Sequence, residues 1–153
     1  MPSPASLLIA LSKQEGYNEI ESPEMIHSGN QVISRKEIVM KKHITVEVCC
    51  GSVDDCLLAE KLGADRIELN HALELGGLTP SLGTFLEAKR RVSLPICVMI
   101  RPRGAGFDYT EPQFQAMLKD AEIFMDHGAD GLVFGFLNED GSINEDRTCQ
   151  MVK

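Results

Sequence analysis

Alternating strand and helix patterns run through residues 44–138, and this alternation constrains the fold more than any other feature of the chain. Short apolar or alternating runs predict strands over Ile44–Cys50, Arg66–Asn70, Ile96–Arg101 and Leu132–Leu137, with helical patterns between them. Strands separated by helices predict a parallel sheet covered by helices, an α/β fold in which functional groups gather at the carboxyl ends of the strands.

Boundary signals support the intervening helices. Ser52 is the predicted N-cap of the first helix, and Gly63 ends it. Pro80 is predicted to lie in the first turn of the second helix, and Pro112 in the first turn of the third. A fourth helix is predicted from Asn144 onward.

A short repeat precedes the second and fourth strands, with Leu62-Gly-Ala-Asp65 before one and His127-Gly-Ala-Asp130 before the other. The two copies are separated by two strand–helix units. In a (β/α)₈ barrel these turns lie on the bottom face, so Asp65 and Asp130 are predicted to stabilise the fold and not to take part in catalysis.

The strand count predicts a parallel, TIM-like (β/α) barrel, truncated here to a half barrel of about four βα units, because a complete barrel needs about 250 residues. An open half barrel leaves unpaired sheet edges. We therefore expect either a fragment, which we favour, or two copies that complete each other as a homodimer. A doubly wound sheet is the structural alternative, but no glycine-rich turn follows the first strand.

Residues 1–39 have a different character, with scattered proline, glycine and polar residues and no sustained period. Met40 is a plausible natural start, because only Lys41-Lys42-His43 separates it from the first predicted strand. We interpret 1–39 as a leader, an over-extended reading frame or a disordered arm, and 40–153 as the partial barrel domain.

Composition excludes several classes of protein. A net charge of −8 without a basic stripe argues against nucleic acid and against an anionic membrane surface. No apolar run approaches the ~20 residues of a membrane helix. Five cysteines without a framework spacing predict reduced thiols and a cytoplasmic location.

Pleat alternation selects Glu47, Glu68 and Arg101 as candidate catalytic residues, because three consecutive strands are predicted to send them into one interior. Buried charge needs partners. Two carboxylates and a guanidinium predict either an acid–base or cation site that holds an anionic substrate, or a satisfied ion network that fixes the register of the barrel.

Two loops at the same edge are candidate substrate-binding segments. Arg103 and Gly104 follow the third strand, and paired arginines suit a carboxylate or a phosphate. Gly76, Gly77 and Thr79 lie before the second helix, where glycines permit close backbone approach and the helix N-terminus presents N–H groups to an anion. A flexible connector with a helix cap at Thr79 or Ser81 is the equally good structural alternative.

The cysteines Cys49, Cys50 and Cys56 are the candidate metal ligands. Cys50 faces the helices, where Cys56 can meet it, and two thiolates suit Cu(I). Cys49 points to the other face, and Cys97 is predicted to lie at a different height, too far to share an ion with it. The alternative is that these cysteines are small buried hydrophobes.

Four motifs in order carry a resemblance to a known family: Glu47-Val-Cys-Cys50, Gly63-Ala-Asp-Arg-Ile-Glu-Leu69, Gly76-Gly-Leu-Thr-Pro-Ser81 and Ile100-Arg-Pro-Arg-Gly104. Over about 44–153 the chain resembles the CutC family of copper homeostasis proteins. The resemblance implies a cytoplasmic TIM-like barrel, a link to copper tolerance, and motif residues at Glu47, Glu68, Arg101 and Arg103.

Departures from the family pattern are also visible. Family members continue through further βα units with a Phe-His-Arg-Ala-Phe-like stretch, and position 70 is Asn where many relatives have Cys. We therefore keep three hypotheses: a copper homeostasis protein that binds Cu(I), an enzyme acting on a small anionic substrate, and a truncated chain without function.

Overall fold

The computed structural model describes residues 9–12 and 44–153, which contain five strands, four α-helices and one short 3-10 helix. The strands are β1 Ile9–Ser12, β2 Glu47–Cys50, β3 Arg66–Leu69, β4 Ile96–Met99 and β5 Gly131–Phe134. The helices are α1 Val53–Lys61, α2 Leu82–Arg91, α3 Glu111–Asp126 and α4 Glu145–Val152, and the 3-10 helix is Leu73–Leu75.

Strands β2 to β5 lie side by side in chain order and are all parallel, as the alternation predicts. Because this order never reverses, the strands form part of the wall of a (β/α) barrel and not a doubly wound sheet, whose order reverses at a switch point. Over the described ranges the sheet is not closed: β2 forms one edge and β1 the other.

Strand β1 pairs antiparallel with β5, with Ile9 opposite Phe134 and Ser12 opposite Gly131. The sequence analysis assigned no element to this segment, so the sheet is mixed and not purely parallel. The other residues of the predicted leader 1–39 lie outside the described residues, and its separation from the barrel domain stays a prediction.

The strands are shorter than their apolar patterns, most clearly at the end of β4. The Ile100 amide still bonds to the carbonyl of Val133 at 2.8 Å, but the Arg101 amide bonds to the Thr79 hydroxyl at 2.7 Å. Residue 101 has therefore left the ladder, and side-chain alternation no longer determines its direction.

Helix starts follow the predicted caps with one exception. The Ser52 hydroxyl accepts from the Asp55 amide at 3.1 Å, and the Ser81 hydroxyl accepts from the Thr84 amide at 3.1 Å. Because Ser81 is the N-cap of α2, Pro80 lies before the helix and not in its first turn, and that prediction was wrong.

The repeated turn forms the same hydrogen bonds twice, which confirms its structural role. Asp65 accepts from the Val46 amide at 2.7 Å, and Asp130 accepts from the Ile96 amide at 2.8 Å. The backbone amide of Asp65 also donates to the Val46 carbonyl, and the backbone amide of Asp130 donates to the Ile96 carbonyl. Both turns thus tie the start of one strand to the start of the strand before it in the sheet.

The apolar residues form two groups on opposite faces of the sheet. The larger group lies between the strands and the helices. It includes an edge-to-face contact of Phe85 with Phe124, whose ring centroids lie 5.4 Å apart. Its members on the strands are Cys50, Ile67, Leu69, Ile96, Val98, Leu132 and Phe134, and Ile100 joins it directly after β4. The smaller group, on the other face, consists of Cys97, Met99 and Val133.

Candidate functional site

Glu68 lies on the sheet face opposite the helices, as pleat alternation predicts. It is 7% exposed, while the residues on either side of it pack into the helix-side core. The Cys49 thiol donates a hydrogen bond to the Glu68 carboxylate, and Glu47 pairs with Arg66 on the next strand. Glu47 and Glu68 therefore share a face, but each carboxylate already has a partner of its own.

Cys49 and Cys97 lie at the same height in the sheet, so the predicted difference in height was wrong. The register aligns Cys49 with Glu68, and Glu68 with Cys97, in one row across β2, β3 and β4. The error came from counting along each strand from its predicted start, although the strands start at different heights. At ~4.8 Å between strands, the two cysteines remain two strand spacings apart, with Glu68 between them.

The pKa of both thiols of this row is raised, although Cys97 is buried and Cys49 is exposed. Burial, the hydrogen bond to Glu68 and the carboxylates of Glu68 and Glu47 raise the pKa of Cys49 to about 12. Burial also raises the pKa of Cys97, with partial opposition from the positive charge of Arg66. At neutral pH the cysteines of this row are therefore thiols and not thiolate nucleophiles.

Arg101 comes directly after the end of β4, and its guanidinium is buried against the loop that follows β3. Its Nη1 donates to the carbonyls of Gly76 at 2.9 Å, Gly77 at 3.3 Å and Leu75 at 3.4 Å. Its guanidinium also lies 4.6 Å from the centre of the Phe107 ring. Within the described part of the chain Arg101 makes no ion pair with either predicted carboxylate, so the three candidate catalytic residues do not form one contact network.

The glycines of the loop after β3 approach side chains of this same chain. A Cβ on Gly77 would lie 2.3 Å from the Asn70 amide oxygen, and a Cβ on Gly76 would lie 2.9 Å from the Arg101 guanidinium. Thr79 exchanges hydrogen bonds with the Arg101 backbone and does not cap α2. Because Gly76 and Gly77 have no side chains, the loop backbone packs directly against the Arg101 guanidinium and the Asn70 amide.

Arg103 holds together the loop that follows β4. Its guanidinium donates to the carbonyls of Gly104 at 3.0 Å, Ala105 and Asp108, and it lies 5.2 Å from the centre of the Tyr109 ring. These contacts use most of the donors that the sequence analysis assigned to a substrate anion.

Two buried polar atoms nevertheless remain without a hydrogen-bond partner among the described residues: the Nε of Arg101 and the hydroxyl of Tyr109. Both residues are at most 7% exposed. Burial raises the pKa of Tyr109, and the charge of Arg101 and the closeness of its guanidinium to the Tyr109 hydroxyl partly oppose this rise. Unpaired buried polar atoms are rare and costly, so this pair marks a place where a small polar ligand or a water can bind.

The predicted metal ligands separate into a pair and a single residue. Cys50 and Cys56 are fully buried between β2 and α1, where the sequence analysis expected them to meet. Burial, followed by the neighbouring Cys56 thiol, raises the pKa of Cys50 to about 12, and burial raises the pKa of Cys56. Cys49 lies on the other face with Glu68, so the three thiols do not converge.

The described residues hold no group of three or more His, Cys, Asp or Glu side chains arranged to bind a metal ion. A site for a three- or four-coordinate metal is therefore not formed by these side chains alone. Among the same residues, no helix combines the length and the hydropathy that crossing a membrane requires.

Comparison with known proteins places this geometry in a family. The profile of the CutC family matches residues 44–153, which include every candidate site residue named above. The chain belongs to the CutC family. The resemblance inferred from the four sequence motifs is thereby confirmed.

Two relatives named CutC support the same conclusion. A CutC family protein of Treponema denticola is 54% identical over 112 residues, which cover 73% of this chain and 46% of the relative. The human copper homeostasis protein cutC homolog is 48% identical over 101 residues, covering 66% of this chain and 37% of the relative. The chain thus spans less than half the length of these relatives.

A solved CutC structure confirms the fold class. The crystal structure of CutC from Streptococcus agalactiae superposes with a TM-score of 0.68 at 31% identity, covering 72% of this chain and 54% of that one. The matching CutC half is a TIM-like α/β arrangement whose parallel sheet is not closed within the described residues.

Three further residues shape the site: alternation predicts that Asn70 points inward, Tyr109 lies in the loop predicted to contribute to the site, and Phe107 was not predicted. Asn70, 2% exposed, donates to the Glu68 carbonyl at 3.0 Å and lies against Gly77. Phe107 and Tyr109 face the two arginines. The parity that selected Glu68 also points Asn70 inward, so its role was visible in principle, whereas the two aromatic contacts depend on loop conformation.

Proposed function

We propose that this CutC family chain acts in copper homeostasis by binding Cu(I) between Cys50 and Cys56. The observation that carries the proposal is the pairing of two fully buried thiols at the junction of β2 and α1. The name of the human relative, a copper homeostasis protein cutC homolog, supports a copper role, and free cysteines fit action in the cytoplasm.

The chemistry of this pair suits Cu(I) better than other metals. Cu(I) is a soft ion that prefers thiolate ligands, and two sulfurs can satisfy it. A harder or higher-coordinate ion such as Zn²⁺ needs four ligands in a structural site, and the described residues offer no such group. Cys49 is left out of the proposal because it contacts Glu68 on the opposite face.

Binding must displace protons, because the raised pKa of Cys50 keeps its thiol protonated at neutral pH. Metal affinity is therefore expected to rise with pH as the cost of deprotonation falls. The buried, apolar surroundings also keep water and competing oxidants away from the sulfurs.

Anaerobic Cu(I) titration of the full chain against a chromogenic chelator tests the proposal. We expect one Cu(I) per chain, lost in Cys50→Ser and in Cys56→Ser and retained in Cys149→Ser, which removes an exposed cysteine on α4. The Cys49→Ser variant is expected to bind normally. Unchanged binding in a Cys50→Ser/Cys56→Ser double variant would remove the model.

A second candidate function is an enzyme acting on a small anion, and one observation favours it. The buried Nε of Arg101 and the buried hydroxyl of Tyr109 lack partners among the described residues, and both can donate to a carboxylate or a phosphate. The reaction remains unassigned, because Glu47 and Glu68 are engaged elsewhere.

Thermal unfolding in the presence of inorganic phosphate or acetate tests this second candidate. Tyr109→Phe removes the hydroxyl and keeps the ring that packs against Phe136. We expect the variant to lose stabilisation by the anion, while its stability without anion stays equal or rises because a buried unpaired hydroxyl is gone. Identical stabilisation of both proteins would exclude Tyr109 from anion binding.

A further inference from the structure

The loop between β4 and α3 contains both of the buried polar atoms that lack a partner among the described residues. Arg101 lies near the start of this loop, and Tyr109 lies at its end, directly before the N-cap Thr110 of α3. The Arg101 guanidinium is close enough to the Tyr109 hydroxyl to affect its pKa. The two unpaired atoms therefore mark one place, and its shape depends on how this loop is held.

The backbone of this loop does not hold itself in place. It forms no helix or strand, and it adopts the left-handed region at Ala105 and Gly106, with φ of +58° and +82°. A residue other than glycine is uncommon in this region and is kept there by its surroundings. The contacts of Arg103 lie within the loop and at the start of α3. The position of Tyr109 relative to the sheet therefore depends on other elements as well.

The segment from β5 to α4 holds the loop through two backbone carbonyls. The Leu137 amide donates to the carbonyl of Phe107 at 2.9 Å, and Nη1 of Arg147 donates to the carbonyl of Tyr109 at 2.5 Å. The Phe136 ring also packs edge-to-face against the Tyr109 ring, with 6.0 Å between their centroids. The residue that carries the unpaired hydroxyl is thus held at its carbonyl by α4 and at its ring by Phe136.

Arg147 is itself fixed by several contacts. Its amide donates to the side chain of Asn144, which caps α4, at 3.0 Å. Its guanidinium lies 4.8 Å from the centre of the Phe114 ring, and its Nη2 pairs with the Glu111 carboxylate at 3.0 Å. The Glu111 side chain is 65% exposed, so this ion pair contributes little, whereas the contact with the Tyr109 carbonyl is partly buried.

We propose that Arg147 is a positioning residue for the anion site of Arg101 and Tyr109: it holds the Tyr109 carbonyl and thereby sets the direction of the Tyr109 hydroxyl. This role rests on the second candidate function, in which a small anion binds to these two residues. The charges that affect the pKa of Tyr109 most are those of Arg101, Arg103 and Asp108. Arg147 therefore acts through the backbone and not as a further charge on the ligand.

Such a contact couples the anion to α4. If Arg147 holds the Tyr109 hydroxyl in the direction that an anion needs, an anion on that hydroxyl must in turn stabilise the contact between Arg147 and the loop, because coupling between two sites is reciprocal. The side chains that carry this coupling, from Arg147 through Tyr109 to Arg101, are buried or half-buried in consecutive βα units.

Thermal unfolding of the full chain at increasing concentrations of acetate or inorganic phosphate tests this role, because the rise in Tm with anion concentration gives the dissociation constant. Arg147→Met keeps the stem that packs on Phe114 and removes the donors, and we expect it to weaken anion binding about 10-fold. Arg147→Lys keeps a donor for the Tyr109 carbonyl and should restore part of the affinity. The matched control Glu111→Gln removes the ion pair but not the carbonyl contact, and it should bind the anion as the unchanged chain does.

The outcomes separate this role from the candidate function on which it rests. If neither anion stabilises the unchanged chain, the second candidate function fails, and the role of Arg147 fails with it. If an anion stabilises the unchanged chain and Arg147→Met binds it equally tightly, the anion site stands and Arg147 has no part in it. Equal weakening in Glu111→Gln would also overturn the proposal, because the ion pair and not the carbonyl contact would then set the site.

Hydrogen exchange of the unchanged chain, measured by mass spectrometry with and without anion, does not rely on the folding of any variant. The anion is expected to slow exchange in the loop 101–110 and also at the amides of Arg147 and Thr148, which both bond to Asn144 at the start of α4. Protection confined to the loop would show that α4 is not coupled to the anion, and the positioning role would be wrong.

Discussion

Replacing Arg101 with methionine tests whether this residue holds the loop after β3 in place. Methionine keeps a long apolar stem but removes every donor of the guanidinium. The carbonyls of Leu75, Gly76 and Gly77 would then lose the donor that now lies 2.9–3.4 Å from them.

The expected cost follows from these contacts. A hydrogen bond to a charged group contributes about 1.5–3 kcal/mol, and only the 2.9 Å contact to Gly76 has ideal length. Loss of the stacking on Phe107 adds about 1 kcal/mol. Relief of the buried charge and of its unpaired Nε offsets part of the loss, so we expect about 3 kcal/mol of destabilisation.

Urea unfolding followed by circular dichroism measures this change. Arg90→Met is the control, because Arg90 forms a bidentate pair with Glu87 on the exposed surface of α2 and is expected to change stability little. A loss of less than about 1 kcal/mol in Arg101→Met would refute the structural role. Arg101 would then be free to act mainly on a ligand.

Three further predictions concern the loop, the repeated turn and the buried thiols. Gly77→Ala should destabilise the chain by about 2 kcal/mol or more in urea unfolding, because its φ is +82° and a Cβ would clash, whereas Gly63→Ala, with φ +86° and open space, should cost about 1 kcal/mol. Asp130→Ala should cost about 1–2 kcal/mol by removing the acceptor of the Ile96 amide, and an unchanged unfolding midpoint would contradict this. Because the folded state raises the pKa of Cys50 to about 12, the unfolded chain loses this proton at lower pH, so stability should hold below about pH 8.5 and fall as pH rises toward 12. The raised pKa values of Cys49, Cys56 and Cys97 add to the same fall, so Cys50→Ala should make it shallower without abolishing it. An equally steep fall in the variant would exclude a contribution from Cys50.

Local patterns were sufficient to predict the faces of the strands and the ends of most helices. Alternation placed Glu68 and Cys50 on opposite faces, because a strand's side chains follow the pleat whatever its neighbours are. The repeated turn also revealed the roles of Asp65 and Asp130, since both copies form the same bonds. These features depend on interactions close in sequence or on a pattern that occurs twice.

Features that depend on how separate segments meet could not be predicted. The row of Cys49, Glu68 and Cys97 is set by the stagger between strands, which no single strand encodes. Arg101 lies beyond the end of its strand, where the surrounding loop and not the pleat directs the guanidinium. The antiparallel pairing of β1 joins segments more than a hundred residues apart.

X-ray absorption at the copper edge of the Cu(I)-loaded chain tests the copper assignment most directly. Binding between Cys50 and Cys56 predicts a first shell of two sulfur atoms, unchanged in Cys49→Ser and lost in Cys50→Ser. A shell dominated by nitrogen or oxygen, or a spectrum that Cys50→Ser leaves unchanged, would contradict the account.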